Sequence, residues 1–118
     1  MVVRLFGRGR RAGATRADRR VAEEALAEWV AARRGVEAFV EPRTAVSEVS
    51  VLLVAHDGEF TRRRIGSPQD AQRWAREHRL PVYDATVVGY PQRMRDFSRR
   101  QRILAERAER DRLREPGR

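Results

Sequence analysis

The side chains best suited to chemistry in this sequence are its arginines, and they are grouped. Arg8, Arg10 and Arg11 lie in a glycine-rich stretch near the start, and Arg62, Arg63 and Arg64 are consecutive in the middle. Arg93, Arg95, Arg99, Arg100, Arg102 and Arg107 recur toward the end. A guanidinium stays protonated at any physiological pH and carries its donors in a planar fork. Each arginine can therefore make a bidentate, charge-assisted contact to a phosphate or a carboxylate. Several such contacts to a nucleic-acid backbone release counterions and give an affinity that tolerates sequence but falls steeply with salt. Tyr90, just before the last group, is the aromatic candidate for stacking on a base, with packing at a strand end as its other role.

Where the charge sits says more than how much there is. All 26 basic residues are arginine, as GC-rich coding would produce, but such a bias should spread them evenly. Instead residues 1–14 hold four arginines and no acid, and residues 91–118 hold ten arginines against five acids. Residues 15–90 hold twelve of each sign, so the net charge of +9 belongs to the two ends of a neutral body.

Other chemistries find little support. The absence of cysteine excludes disulfides, thiolate metal sites and thiol catalysis, and suits a reducing compartment. Residues 1–6 are interrupted by Arg4 and followed by Gly7, so neither a secretory signal nor a membrane span is expected, and a cytoplasmic location is. His56 and His78 have no second metal-binding side chain four residues away, which favours capping or packing over ligation. Gly7, Gly9 and Gly13 follow no adequate strand, so they make no phosphate loop, and no Ser/His/Asp arrangement can be placed. No catalytic residue, metal, cofactor or small-molecule substrate is expected.

These side chains must be carried by a fold, and residues 46–65 organise it. Residues 49–55 are the one long apolar β-rich run, Asp57-Gly58 supplies a tight turn, and the return arm carries the three consecutive arginines. Because side chains alternate faces along a strand, those arginines put charge on both faces, and at least one face must be partly wet. A helix is expected from Thr15 or Asp18 to about Arg33-Arg34-Gly35, with Val21, Ala22, Ala25, Leu26, Trp29 and Val30 as its apolar stripe and arginines in its last turn. Residues 36–43 read as a weak first strand. Ser67-Pro68-Gln69-Asp70 is a helix start with Ser67 at the N-cap and Pro68 at the first helical position. Residues 81–90 read as a last strand. From Pro91 a final helix can run to about Arg114, with a basic stripe of Arg93, Arg100, Arg107 and Arg114 beside a seam of Met94, Phe97, Gln101, Leu104 and Ala108. The seam weakens after Leu104, so the first half should dock and the second project or fray. The pairs Arg73–Glu77, Asp96–Arg100 and Glu106–Arg110 are at i, i+4 spacing.

The expected architecture is a single α+β domain over residues 15–90. It runs helix, three-stranded antiparallel meander, helix and fourth strand, preceded by a disordered basic arm at 1–14 and followed by a long basic C-terminal helix with a frayed tail at 91–118. The expected core is Val21, Leu26, Trp29, Val49, Val51, Leu53, Ile65, Trp74, Val82 and Val87. The order helix, three strands, helix over residues 18–80 resembles the double-stranded RNA-binding domain, which holds phosphates with cations in the first turn of its second helix. Here that turn, residues 67–72, has no cation, so the likeness is topological. With the fourth strand the order also resembles restriction-endonuclease-like nucleases. Glu48 can stand for their metal-binding Asp, but Thr61-Arg62-Arg63 replaces the Glu-x-Lys, and Glu59 lies near the turn.

Residues 57–97 resemble a family of small, basic, uncharacterised proteins of GC-rich actinobacteria. The shared marks are Asp57-Gly58-Glu59-Phe60-Thr61-Arg62-Arg63, Gly66-Ser67-Pro68, Pro81-Val82-Tyr83-Asp84 and residues 88–96. The resemblance implies fold and lineage, and no function. The physical reading is a non-catalytic nucleic-acid-binding protein, with RNA, including ribosomal RNA, favoured slightly over DNA, because mobile arginine-rich ends that order on RNA are a familiar device. The alternatives are a module binding an acidic or helical protein partner through the Met94, Phe97, Leu104 seam, and a nuclease of the restriction-endonuclease type with a degenerate site.

Overall fold

Apolar side chains occupy four of the five positions of Ser50–Val54, which allows a strand to be buried on both faces, and this strand, β2, is buried at every position. The computed structural model describes residues 15–114. Strand β1 (Glu37–Glu41) and strand β3 (Phe60–Arg64) pair with β2 antiparallel, and β4 (Val82–Asp84) pairs with β1 in parallel, giving the order β3-β2-β1-β4. The β2–β3 turn is the Asp57-Gly58 turn: Gly58 takes φ +95°, and Asp57 Oδ1 accepts from the Glu59 amide at 3.0 Å.

Helix α1 (Arg16–Ala31) starts at a capping box, with Thr15 Oγ1 accepting from the Asp18 amide at 3.0 Å and Asp18 accepting from the Thr15 amide at 3.2 Å. Helix α2 (Pro68–Glu77) starts at Ser67, whose hydroxyl accepts from the Asp70 amide at 3.1 Å. Leu26 of α1 and Ala71, Trp74 and Ala75 of α2 pack with Ala38, Val40, Val49, Val51, Leu53 and Ile65 on one side of the sheet, with Trp29 and Val82 partly buried against them. Phe39, Leu52 and Val54 face the other way, into a smaller cluster with Ala85, Phe60 and Met94. His78 caps α2 and stacks on Trp74, with ring centroids 4.3 Å apart and Nδ1 2.9 Å from the Trp74 carbonyl oxygen.

The expected α+β order holds, with three local corrections. Val21 is 62% exposed. Five residues of α-helix turn through about 140°, so Val21 cannot share a buried line with Leu26. The expected strand over 81–90 stops after three residues and gives way to the short helix α3 (Ala85–Val88). Asp84 causes this: its Oδ1 accepts from the Thr86 amide at 2.9 Å and the Thr86 hydroxyl at 2.6 Å, an N-cap that turns the backbone out of the sheet. Val87 is left 77% exposed rather than in the core. Helix α1 ends before Arg33, whose guanidinium instead folds back over the Trp29 ring at 4.1 Å.

Helix α4 (Gln92–Arg114) has 23 residues. Side chains of Arg93, Met94, Phe97 and Ser98 are partly covered, whereas every residue from 101 to 114 is exposed, so the second half projects as a helix. No helix among the described residues is long and apolar enough to cross a membrane.

Candidate nucleic-acid interface

The seven-residue stripe on α4 begins with arginines that hold the helix to the sheet. Arg93 Nη2 donates to Glu37 Oε1 at 2.6 Å and to the Val54 carbonyl at 3.4 Å, and its Nε donates to the Ala55 carbonyl at 2.9 Å. Arg100 Nη2 reaches the Asp57 carbonyl at 3.1 Å. Between them Phe97 lies against the hairpin turn, where a Cβ on Gly58 would stand 2.9 Å from the Phe97 Cβ.

The opposite side of α4 is different. Arg95, Arg99 and Arg102 recur at i, i+4, i+7, so they line one exposed face over two turns. Arg95 bonds Gln92 Oε1 through Nε at 3.2 Å and Nη2 at 2.6 Å, and Arg99 bonds Asp96 at 3.2 Å. Arg102 and, further out, Arg107 form no ion pair among the described residues. The outermost arginines are partly self-neutralised, Arg112 by Glu109 and Arg114 by Asp111 at 3.7 Å. The i, i+4 pairs expected from spacing do not form. Asp96 takes Arg99, three residues on, Asp70 takes Arg73 at 2.7 Å, and Arg100 is drawn off to the hairpin.

The three strand arginines divide as well. Arg62 is committed to Glu41 by two hydrogen bonds, Nε to Oε1 at 2.7 Å and Nη2 to Oε2 at 3.0 Å. Glu41 also accepts from the Ser50 hydroxyl at 2.8 Å and the Tyr90 hydroxyl at 2.6 Å, joining β1, β2, β3 and the segment before α4. Burial alone would raise the Glu41 pKa. The hydrogen bonds from Arg62, Tyr90 and Ser50 outweigh it and hold the carboxyl below its ordinary range. The same contact, with burial, pushes the Tyr90 hydroxyl upward. Arg63 and Arg64 are exposed, point to opposite faces of the edge strand, and have no ion pair among the described residues. Tyr90 keeps 41% of its surface exposed, so its ring is accessible although its hydroxyl is engaged. Arg8, Arg10 and Arg11, with the whole expected basic arm, lie outside the described residues, as does the tail beyond 114.

The carboxylates weighed as nuclease ligands are each held by an arginine: Glu48 by Arg43 at 3.3 Å, and Glu59 by Arg33 at 2.7 Å. Among the described residues no group of three or more His, Asp or Glu side chains is placed to hold a metal ion. Sequence reasoning missed the Glu41 hub, because the spacing of Glu41 and Arg62 carries no signal without the sheet register. It also passed over Arg79, whose backbone takes φ +58°.

The hub makes a test of this geometry. A carboxyl with a lowered folded pKa contributes stability that is present above its unfolded pKa and lost as pH falls through the folded value. Glu41→Gln is therefore expected to lose about 2 kcal/mol at pH 7, and the gap to the parent should close in acid below the ordinary carboxylate range. Urea denaturation of both proteins at several pH values measures it. Equal stability at pH 7 would show that the hub is not stabilising.

No protein-family description, curated protein or solved structure matches this chain.

Proposed function

We propose that this α+β protein binds nucleic acid through its phosphates and does no chemistry on it. The observation that carries the reading is the exposed row of Arg95, Arg99 and Arg102 on the side of α4 turned away from the sheet, with Asp96 the one acid between residues 92 and 102. Guanidinium groups about one helical turn apart on a rigid rod can meet successive phosphates at little entropic cost. Arg63 and Arg64 add cations on the sheet edge, and the arginines of residues 1–14 add the rest. Arg62 and Arg100, and Arg93 through its Nε and Nη2, brace the surface. RNA is the favoured ligand over DNA, on the strength of the arginine-rich ends alone, and the cytoplasm is the proposed location.

A partner helix is less well served. Met94 already packs toward Phe39, Leu52 and Val54, and Phe97 lies on the hairpin, which leaves Leu104 and Ala108 of the seam. Ile103 and Leu113, though exposed, lie on other sides of the helix.

The deciding experiment is binding of the purified chain to labelled duplex RNA, duplex DNA and single strands across a salt series. Log affinity is expected to fall linearly with log salt, with a slope set by several released counterions, and RNA should bind more tightly than DNA. Absence of binding to all three at low salt would overturn the reading.

A further inference from the structure

A second basic feature lies away from the α4 row. The Gly35 turn, the end of β2, the end of α2 and the first turn of α4 border an open, shallow cleft of about 610 Å³, lined by Gly35, Glu37, His56, Arg79, Pro81 and Arg93 among others. We infer that this cleft is a seat for a phosphate monoester, the terminal phosphate of a nucleic-acid strand, with Arg79 as its principal cation. The inference rests on the nucleic-acid reading above and gives it a second, distinct contact.

Three observations support it. The first is the backbone of Arg79. Leu80 N donates to the Ala75 carbonyl at 2.9 Å, closing α2 with a left-handed residue after its cap. Glycine is the favoured residue there because a Cβ is strained at positive φ. Arg79, at φ +58°, is the one non-glycine residue with positive φ among the described residues. A guanidinium thus stands where the backbone conformation favours glycine. Arg79 lines the cleft, is exposed, and has no ion pair among the described residues.

The second is the other arginine of the lining. Arg93 uses Nε and Nη2 on the sheet, and its Nη1 makes no hydrogen bond among the described residues, so donors remain for a ligand. With Glu37 set against Arg93, Arg79 is uncompensated, and the cleft is cationic. The third is the rim. Gly35, at φ +64°, approaches so closely that a Cβ there would stand 2.9 Å from the His56 Cβ, and the His56 amide donates to the Arg34 carbonyl at 3.1 Å. These contacts fix the His56 backbone at the mouth.

Charge selects the end of a strand over its middle: a monoester carries more charge and one more free oxygen than a diester, so it gains more from an uncompensated arginine.

The test uses the full chain, one single-stranded oligonucleotide prepared with a 5′-phosphate or a 5′-hydroxyl, and adenosine monophosphate as the free-nucleotide probe. The phosphorylated strand is expected to bind on the order of tenfold more tightly. Arg79→Gly should abolish that preference while leaving affinity for the hydroxyl strand unchanged. Glycine prefers this backbone, so the variant stays folded and its Tm should rise. Equal binding of the two strands, or a preference that survives Arg79→Gly, would overturn the cleft assignment and leave the α4 interface standing. Binding of adenosine monophosphate that Arg79→Gly removes, without binding of either strand, would keep the cleft as a nucleotide site and sink the nucleic-acid reading. Failure of all three probes would sink both.

Discussion

Gly58→Ala is expected to lift helix α4 from the sheet and to lower the unfolding free energy by about 3 kcal/mol, the sum of left-handed strain and overpacking. A Cβ at this position would lie 2.0 Å from the Arg93 carbonyl oxygen, 2.7 Å from its carbon and 2.9 Å from the Phe97 Cβ. The first two are helix backbone, which cannot swing aside as a side chain would. The φ of +95° adds strain for any L side chain. Relief requires that the turn distort or that α4 move away, and movement would uncover Met94 and the cluster of Phe39, Leu52 and Val54. Urea denaturation gives the loss, and amide hydrogen exchange over residues 92–100 shows whether the helix has undocked. Gly58→Asn separates the causes, because Asn tolerates positive φ but still brings a Cβ. It should be almost as damaging as alanine if contact with α4 dominates. An alanine variant as stable as the parent, with unchanged exchange, would mean that the helix is not seated on this turn.

The second large effect is on binding. Replacing Arg95, Arg99 and Arg102 together by glutamine is expected to weaken nucleic-acid affinity by about 100-fold at low salt and to reduce the salt slope by about two to three, as the loss of three phosphate contacts requires. Stability should change little, because these side chains are exposed and their protein partners are one neutral amide and one shared carboxylate. Arg112→Gln with Arg114→Gln makes the comparison, since those cations are already offset by Glu109 and Asp111. That pair should cost about threefold or less. If the two sets cost the same, affinity follows total charge and the exposed row of α4 has no special part.

Much of this molecule was determined by interactions a few residues long, and those were legible in the sequence. Thr15 with Asp18 and Ser67 with Pro68 and Asp70 start helices through bonds that close within one turn. Asp57-Gly58 makes a turn for its own backbone's reasons, and an apolar run such as β2 has to be buried. The order of elements and the extent of α4 follow from the same local rules.

What the tertiary structure alone decided is which charges are already satisfied. Arg62 meets Glu41 across 21 residues, Arg33 meets Glu59 across 26, and Arg93 meets Glu37 across 56. Each contact needs a strand register or a docking angle that no spacing encodes. The strand expected over 81–90 stopped after Asp84 because the Asp84 side chain, capping the Thr86 amide two residues on, outcompeted a ladder that had only β1 to pair with. Gly58 is required by a helix whose backbone arrives from more than thirty residues later as well as by its own turn. The composition of this chain determined that it is cationic. The fold determined which arginines brace it and which are left exposed, because an arginine's role depends on the nearest carboxylate in space and not in sequence.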